Sequence, residues 1–157
     1  MKLYFLRHAE AEDGLVDAER ELTGKGRRDA RKLGRFFRRH DVEFELAFTS
    51  PLVRARQTAE LVLTECPLGG KQPLAETPAL LNGTTAREFA RWLKALPPVD
   101  AVLLVGHEPS MSERIRGLLG LPRVDALPLG KCAVARLDTE DRRTGALRFL
   151  LGPKQLS

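Results

Sequence analysis

Two short apolar runs, each followed two residues later by a histidine, constrain the fold of this chain more than any other feature. The run at residues 3–6 (LYFL) is followed by Arg7 and His8, and the run at residues 101–105 (AVLLV) by a glycine and His107. Apolar runs of this length between polar residues predict short buried strands. In an α/β sheet, ligands bind in the crevice beyond the carboxyl ends of the strands. We therefore expect both histidines at one ligand-binding edge.

Helical patterns alternate with the apolar runs, and this alternation is typical of an α/β fold. The length suits one domain, which we expect to span residues 1–157. Thr23 precedes a helical pattern that ends near Arg39, and Thr85 forms a capping box with Glu88 at the start of a helix that ends near residue 96. The other predicted elements are strands at residues 44–49, 73–75, 101–105, 131–137 and 146–151 and helices at residues 51–65 and 109–119.

Serine and proline mark the start of the helix at residues 51–65. We expect the Ser50 hydroxyl to cap this helix, because serine is a favoured N-cap and Pro51 fits the first turn. The start of this helix brings Arg54 to the carboxyl end of the preceding strand, close to Arg7. By the same reasoning, free N–H groups at the start of the helix after His107 would add to an anion site.

Composition argues against several classes of protein. Apolar residues make up 43% and charged residues 30% of the chain, as in ordinary globular domains. No apolar run approaches the ~20 residues of a membrane span, and the N-terminus lacks the apolar core of a signal peptide. Cys66 and Cys132 match no metal-binding or redox spacing, so we expect reduced, structural thiols. We therefore predict a cytoplasmic protein with no membrane partner.

The helix predicted between Lys25 and Arg39 is strongly basic, with Asp29 as its acidic residue. The net charge of +5 likewise favours acidic partners without identifying one. Charge runs are usually solvated helix faces, and a docking surface for an acidic protein is the second interpretation. We do not expect nucleic acid as a partner, because no recognition motif accompanies the cations.

Histidine and arginine side chains at one edge suit the chemistry of a phosphoryl group. The chain has three histidines, of which His40 lies in a polar segment and is expected at the surface. The planar fork of arginine binds phosphoryl oxygens, three of which share the charge during phosphoryl transfer. A neutral imidazole can attack phosphorus in line and form a phosphohistidine that water then hydrolyses. This reaction needs one ring nitrogen free and the other held by an acceptor, such as a backbone carbonyl.

This chemistry requires no metal, because the arginines and a protonated His107 would neutralise the phosphoryl charge. The rival interpretation is a divalent metal site formed by His8, Glu10, Glu12 and His107. Two adjacent arginines would repel a cation, and the spacing matches no common metal motif. We therefore predict no cofactor.

Three segments resemble the motifs of the histidine phosphatase superfamily, also called phosphoglycerate mutase-like. Residues 6–10 (LRHAE) resemble its Arg-His signature, residues 50–59 (SPLVRARQTA) its second motif and residues 106–109 (GHEP) its third. Further similarity to bacterial phosphohistidine phosphatases of the SixA type lies at residues 7–12 (RHAEAE), at residues 17–23 (DAERELT) with Gly26, and at residues 153–156 (PKQL). The motifs follow the family's order, and the resemblance covers nearly the whole chain.

The resemblance implies a fold and a set of site residues. The fold would be a three-layer α/β sandwich with a mixed, mostly parallel central sheet flanked by helices. His8 would be the phosphorylated nucleophile, Arg7 and Arg54 would bind the phosphoryl oxygens, and His107 would stabilise the transferred group. Arg20 stands where the subgroup has an arginine and is a further candidate for phosphate binding. The implied enzyme is a metal-independent phosphoric hydrolase that acts on phosphohistidine in a protein.

The chain departs from the superfamily pattern between the second and third motifs. Many members carry an acid there that protonates an oxygen leaving group, whereas residues 77–83 (TPALLNG) contain no acid after Glu76. An alkoxide leaves poorly without such a donor, so an N–P substrate is favoured. Glu10, Glu12 and Glu108 remain candidate donors. The short segments between motifs leave no room for cap insertions, which predicts an open site that admits a histidine on another protein.

Two other functions remain open from the sequence. The same four residues could serve a small-molecule phosphomonoesterase, which would turn over a sugar phosphate faster than a phosphohistidine peptide. The basic helix could instead make the chain a non-catalytic module that binds a phosphoryl group or docks a partner. In that case His8→Ala would leave biological activity intact, while charge reversal of Arg31 and Arg35 would abolish it.

Overall fold

Strands and helices alternate along most of the chain, as the sequence predicts. The computed structural model describes residues 1–69, 72–122 and 127–156. Within these ranges the strands are β1 (Lys2–Arg7), β2 (Leu46–Thr49), β3 (Ala75–Glu76), β4 (Ala101–Gly106), β5 (Val134–Asp138) and β6 (Ala146–Leu151). The helices are α1 (Gly24–Arg39), α2 (Val53–Glu65), α3 (Ala86–Ala95) and α4 (Ser110–Leu119), with short 3-10 turns at Asp17–Glu19, Pro78–Leu80 and Pro153–Gln155.

The strands form one mixed sheet in the order β3-β2-β4-β1-β5-β6. β1 pairs in parallel with β4, β4 with β2 and β2 with β3, whereas β5 runs antiparallel to both β1 and β6. In this register Arg7 lies beside Gly106, and Thr49 lies beside Val105. The carboxyl ends of β1, β4 and β2 are therefore nearly level, and the segments that follow them start at the same edge.

Helices cover both faces of the sheet. Successive residues of a strand point to opposite faces, and Tyr4 and Leu6 of β1 pack into the core formed with α1 and α2. Leu3 and Phe5 pack on the other face, in the core formed with α3 and α4. Strands buried on both faces read as continuous apolar runs. This arrangement confirms the expected three-layer α/β sandwich with a mixed, mostly parallel sheet.

The first helix begins at the predicted cap and buries the predicted face. The Thr23 hydroxyl accepts a hydrogen bond from the Gly26 N–H at 2.9 Å. Ala30, Leu33 and Phe37 are all fully buried. The capping box between Thr85 and Glu88 at the start of α3 is also present. Both helix starts follow from local side-chain bonds, which the sequence alone can reveal.

The cations of α1 lie on its outer side, and several are paired within the molecule. Lys25 contacts Asp29 at 2.6 Å, and Arg31 and Arg35 both contact Glu65 of α2, at 3.8 and 3.3 Å. Such pairs are typical of a solvated helix face, the first of the two interpretations offered for this helix. Docking of an acidic protein on it stays a prediction.

The C-terminal segment closes the core on the α1 side. Leu156 is fully buried, and Lys32 donates from Nζ to the carbonyl oxygen of Pro153 at 2.9 Å. Cys66 and Cys132 are buried and free, as expected of structural thiols. Burial raises the pKa of Cys132 to about 12. No helix in the described ranges is long and apolar enough to span a membrane.

Several strand boundaries differ from those predicted. The second strand begins at Leu46 rather than at residue 44, and the third lies at Ala75–Glu76 rather than at residues 73–75. The fifth begins at Val134 rather than at residue 131. Cys132 has a φ of 56°, outside the β region, so the extended conformation cannot continue through it. These ends depend on pairing with other segments, which local sequence patterns do not encode.

Candidate active site

Backbone hydrogen bonds fix His8 directly beyond the end of β1. Its N–H donates to the carbonyl of Gly106 at 3.0 Å, and its carbonyl accepts from the N–H of Cys132 at 3.2 Å. The side chain is buried. His8 is thus held between the end of β4 and the segment that precedes β5.

The imidazole of His8 has a defined tautomer. Its Nδ1 lies 2.7 Å from the carbonyl oxygen of Ala9. Because a carbonyl oxygen only accepts, Nδ1 carries the proton and Nε2 keeps its lone pair. Burial lowers the pKa of His8 to about 3, so the ring is neutral at neutral pH. This is the state predicted for a nucleophilic histidine, with one nitrogen held by a backbone carbonyl.

The peptide that holds His8 is tied to the first turn of α2. The N–H of Ala9 donates to Oγ1 of Thr58 at 3.0 Å, and that hydroxyl donates to the carbonyl of Arg54 at 2.7 Å. Thr58 is fully buried. This chain of two hydrogen bonds fixes the position of His8 relative to the helix that carries Arg54.

The second histidine lies beside the first, and a serine holds it. The ring centroids of His8 and His107 are 5.1 Å apart, and Nε2 of His107 lies 2.6 Å from the Ser50 hydroxyl oxygen. The prediction that Ser50 caps α2 was therefore wrong. The N-cap is Leu52, which makes no side-chain capping bond. The Ser50 hydroxyl contacts His107 beyond the ends of β2 and β4, and it also accepts a long hydrogen bond from the Leu52 N–H at 3.4 Å.

His107 is neutral in this structure. Burial, followed by the positive charge of Arg54, lowers its pKa to about 4. The sequence had suggested a protonated imidazole at this position. Two buried imidazoles beside several arginines cannot readily hold a further positive charge, because desolvation and like-charge repulsion both disfavour the imidazolium.

The N-terminus of α4 does not offer the free N–H groups that we expected. Its Ser112 N–H donates to Oε1 of Glu108 at 2.9 Å, and its Ser110 N–H lies 3.4 Å from Oδ1 of Asn82. These side chains satisfy donors that a phosphoryl group would otherwise bind. The predicted contribution of this helix end to the anion site was therefore wrong.

Two of the predicted arginines are held by oxygen atoms of neighbouring loops. Arg7 donates from Nη1 to the carbonyl of Leu129 at 3.0 Å. Arg54, with only 9% of its side chain exposed, donates from Nη1 to the carbonyl of Asp17 at 2.8 Å and from Nη2 to Oδ2 of Asp17 at 3.2 Å. Each guanidinium is therefore fixed at one end and keeps its Nε unbonded.

Three buried side-chain nitrogens lack a hydrogen-bond partner within the described ranges: Nε of Arg7, Nε of Arg54 and Nδ1 of His107. Buried polar groups without partners are rare and destabilising in folded proteins. All three belong to residues that the sequence assigned to the site. Three unsatisfied nitrogens, two of them cationic donors, match the three non-bridging oxygens of a phosphoryl group.

Arg20, the further candidate, is connected to this group through one intervening residue. It donates from Nε to the carbonyl of Glu12 at 2.8 Å and from Nη1 to Oδ1 of Asp17 at 3.1 Å. Asp17 in turn contacts Arg54. The structure thus connects Arg20 to the site through Asp17.

Lys131 is a cation near the site that sequence reasoning missed. Its pKa is lowered by partial burial and by the positive charges of Arg7, Arg20 and Arg54. The residue precedes β5, in the loop whose Leu129 carbonyl binds Arg7. No local pattern marks it, because its place at the site depends on the pairing of β5 with β1.

The candidate proton donors are engaged or exposed. Glu10 accepts a hydrogen bond from the Thr23 hydroxyl at 2.9 Å, and Glu12 is exposed. Glu108 accepts from the hydroxyl as well as the N–H of Ser112. Across residues 1–69, 72–122 and 127–156, no three histidine, cysteine or acidic side chains are grouped so as to hold a metal ion. The geometry therefore gives the metal interpretation no support.

Comparison with known proteins identifies the class to which this fold and site belong. Residues 3–82 match the family model of the histidine phosphatase superfamily, branch 1. The chain belongs to this superfamily, as the three sequence motifs had indicated.

Individual relatives agree with this assignment. An uncharacterised protein of Picosynechococcus is 35% identical over 122 residues, covering 72% of this chain and 70% of that protein. A 2,3-bisphosphoglycerate-dependent phosphoglycerate mutase of Azorhizobium caulinodans is 33% identical over 79 residues, covering 47% of this chain and 38% of the mutase. The solved structure of the protein histidine phosphatase SixA complexed with tungstate is similar over 100% of both chains, with a TM-score of 0.90 and 25% identity.

Proposed function

We propose that this protein is a protein phosphohistidine phosphatase that hydrolyses its substrate through a covalent phosphohistidine on His8, without a metal. One observation carries the proposal: unpartnered nitrogens of Arg7, Arg54 and His107 accompany a neutral His8 of fixed tautomer. The arrangement supplies a nucleophile and three groups for the phosphoryl oxygens.

In the first step, Nε2 of His8 attacks the phosphorus atom of the substrate in line with the bond that breaks. The nucleophile needs no activation by a base, because burial keeps the ring neutral and the Ala9 carbonyl holds the proton on Nδ1. Arg7 and Arg54 bind the equatorial oxygens through their Nε atoms. The N–P bond of the substrate breaks, and the departing imidazole takes a proton from solvent.

In the second step, water attacks the phosphohistidine, inorganic phosphate leaves and His8 returns to its neutral form. His107 stabilises the phosphoryl group in both steps. The negative charge of that group raises the pKa of His107 from its value of about 4, so the imidazole gains a proton when the site is filled. Ser50 then accepts a hydrogen bond from Nε2 of His107 while Nδ1 donates to a phosphoryl oxygen.

The substrate class follows from the leaving group and from the relatives. Glu76 contacts Arg56 at 3.3 Å and lies on the short strand β3, and residues 77–83, which follow it, contain no acid. In the described ranges the candidate donors Glu10 and Glu108 are engaged in hydrogen bonds and Glu12 is exposed, which disfavours protonation of an alkoxide. An imidazole takes its proton near neutral pH. The similarity of this chain to the protein histidine phosphatase SixA, over 100% of both chains, also supports a phosphohistidine substrate.

Competition between substrates tests this function. We expect kcat/KM for a phosphohistidine peptide, prepared with phosphoramidate, to exceed that for the matching phosphoserine peptide and for 3-phosphoglycerate by about a hundredfold. His8→Ala should abolish turnover of all three. Equal or faster turnover of 3-phosphoglycerate would instead identify a small-molecule phosphomonoesterase.

A further inference from the structure

Asp17 contacts both of the arginines that flank it in space. Its carbonyl oxygen and Oδ2 accept from Nη1 and Nη2 of Arg54 at 2.8 and 3.2 Å, and its Oδ1 accepts from Nη1 of Arg20 at 3.1 Å. The side chain of Asp17 is 66% exposed, whereas that of Arg54 is 9% exposed. A surface loop thus reaches a nearly buried cation of the site.

These contacts fix the orientation of the Arg54 guanidinium. Two bonds to two different nitrogens hold the planar group more firmly than one bond does, because they fix its rotation as well as its position. The nitrogen that Asp17 leaves unbonded is Nε, one of the three unpartnered nitrogens of the site. Asp17 therefore determines which edge of Arg54 remains for a phosphoryl oxygen.

The loop that carries Asp17 is itself held by Arg20. Arg20 donates from Nε to the carbonyl of Glu12 and from Nη1 to Asp17, so it joins two parts of the same loop. The hydrogen bonds run from Glu12 through Arg20 and Asp17 to Arg54.

We infer that Asp17 is a positioning residue for Arg54, and that Arg20 acts on the phosphoryl group through Asp17 rather than by binding it. The inference rests on the proposed function only in that the site binds a phosphoryl group. Arg20 then holds Asp17 in place and does not itself bind the phosphoryl group.

The opposite role would also follow from the charge of Asp17, and experiment separates the two. A carboxylate beside Arg54 can compete with a phosphoryl group for the same cation, and its removal would then tighten phosphate binding. A positioning carboxylate has the reverse effect, because its loss lets the guanidinium rotate away from the phosphoryl oxygens. The sign of the change in affinity therefore distinguishes these roles.

The test measures binding of inorganic phosphate by calorimetry and turnover of phosphoramidate for wild type, Asp17→Ala and Asp17→Asn. We expect Asp17→Ala to weaken phosphate binding and to lower kcat, each by about tenfold. Asp17→Asn, which keeps an oxygen acceptor for Nη2 of Arg54, should recover most of both. Glu19→Ala is the matched control, since Glu19 lies on the same exposed turn and has no contact with Arg54 in the described ranges. Its phosphate affinity and melting temperature should equal those of wild type.

A double-mutant cycle tests the role of Arg20. If Arg20 acts through Asp17, Arg20→Ala should have a smaller effect than Asp17→Ala, and the double variant should be no worse than Asp17→Ala alone. Tighter phosphate binding in Asp17→Ala, unchanged binding in it, or additive losses in the double variant would each overturn the inference. Failure of the proposed function looks different, because wild type itself would then neither bind phosphate nor release it from phosphoramidate.

Discussion

The two site histidines are neutral for the same physical reason. Each is buried beyond the end of a parallel strand, and desolvation is the largest cause of the lowered pKa in both His8 and His107. For His8 the neutral state supplies a nucleophilic nitrogen. For His107 it means that a proton is taken up when a phosphoryl group arrives.

Oxyanion binding should therefore be coupled to protonation of His107. Sulfate keeps its two negative charges throughout the range from pH 8 to pH 5, so changes in its affinity report on the protein. A bound dianion raises the pKa of His107 above about 4, and the complex then holds a proton that the free protein lacks. We expect sulfate binding, measured by calorimetry, to tighten by about tenfold from pH 8 to pH 5.

His107→Asn should remove this pH dependence while leaving a weaker, pH-independent affinity from the arginines. Calorimetry of wild type in buffers of different ionisation enthalpy should show uptake of a proton on binding. A pH-independent affinity in wild type would contradict the role given to His107, as would an unchanged slope in the variant.

Sequence reasoning predicted that four candidate site residues lie at one edge of the sheet, but it did not predict the bonds that hold them. The positions of Arg7, His8, Arg54 and His107 follow from strand ends and motif spacing, and the structure brings them to one edge. The contact of Ser50 with His107 was missed, because a serine before a proline also has the local form of a helix cap. Bonds between segments distant in sequence leave no local signal.

At the scale of elements, close packing of α1 on α2 positions the helix that carries Arg54. Gly34 makes this approach possible. A Cβ atom built at Gly34 would lie 2.5 Å from the carbonyl oxygen of Val62 and 2.7 Å from Cβ of Glu65. Such distances require one helix to shift.

Gly34→Ala should therefore destabilise the protein even though alanine favours helices. We expect the free energy of unfolding to fall by about 2 kcal/mol, measured by urea denaturation. Gly117→Ala is the matched control, because Gly117 also lies within a helix and a Cβ there would meet nothing within 4 Å. That change should raise stability by about 0.5–1 kcal/mol. A stabilising effect of Gly34→Ala would contradict the close contact.

Element boundaries were predictable where a local bond sets them. Thr23 and Thr85 cap their helices through bonds to residues three positions away, and both starts were predicted correctly. The start of β5 was not, because the unusual backbone of Cys132 and its bond to His8 precede it. The N–H groups of α4 were also mistaken for free donors, since Asn82 approaches them from a loop distant in sequence.

At the scale of the whole molecule, the buried neutral histidines link stability to pH. The pKa values of His8 and His107 in the folded chain are about 3 and about 4, against 6.5 for an unperturbed histidine. Between pH 4 and pH 6.5 the unfolded chain therefore binds more protons than the folded one. Stability rises with pH wherever this holds, so it is lost as the pH falls through this window.

We expect the free energy of unfolding to decrease steadily from pH 7 to pH 5, measured by urea denaturation at each pH. The full contribution of His107, reached near pH 4, is on the order of 3 kcal/mol. His107→Asn should show a shallower decrease than wild type over the same range. His40→Asn is the control, since His40 is exposed, and its slope should match that of wild type. Parallel curves for wild type and His107→Asn would contradict the lowered pKa of His107 in the folded chain.

The central claim is that His8 carries the phosphoryl group during turnover, and intact-protein mass spectrometry after rapid mixing with phosphoramidate tests it most directly. Wild type should gain the mass of about one phosphoryl group, in an acid-labile form typical of phosphohistidine. His8→Ala should gain none, and peptide mapping of wild type should locate the group at His8. The absence of an adduct in wild type, together with no release of phosphate, would contradict the account. An equal adduct in His8→Ala would contradict it as well.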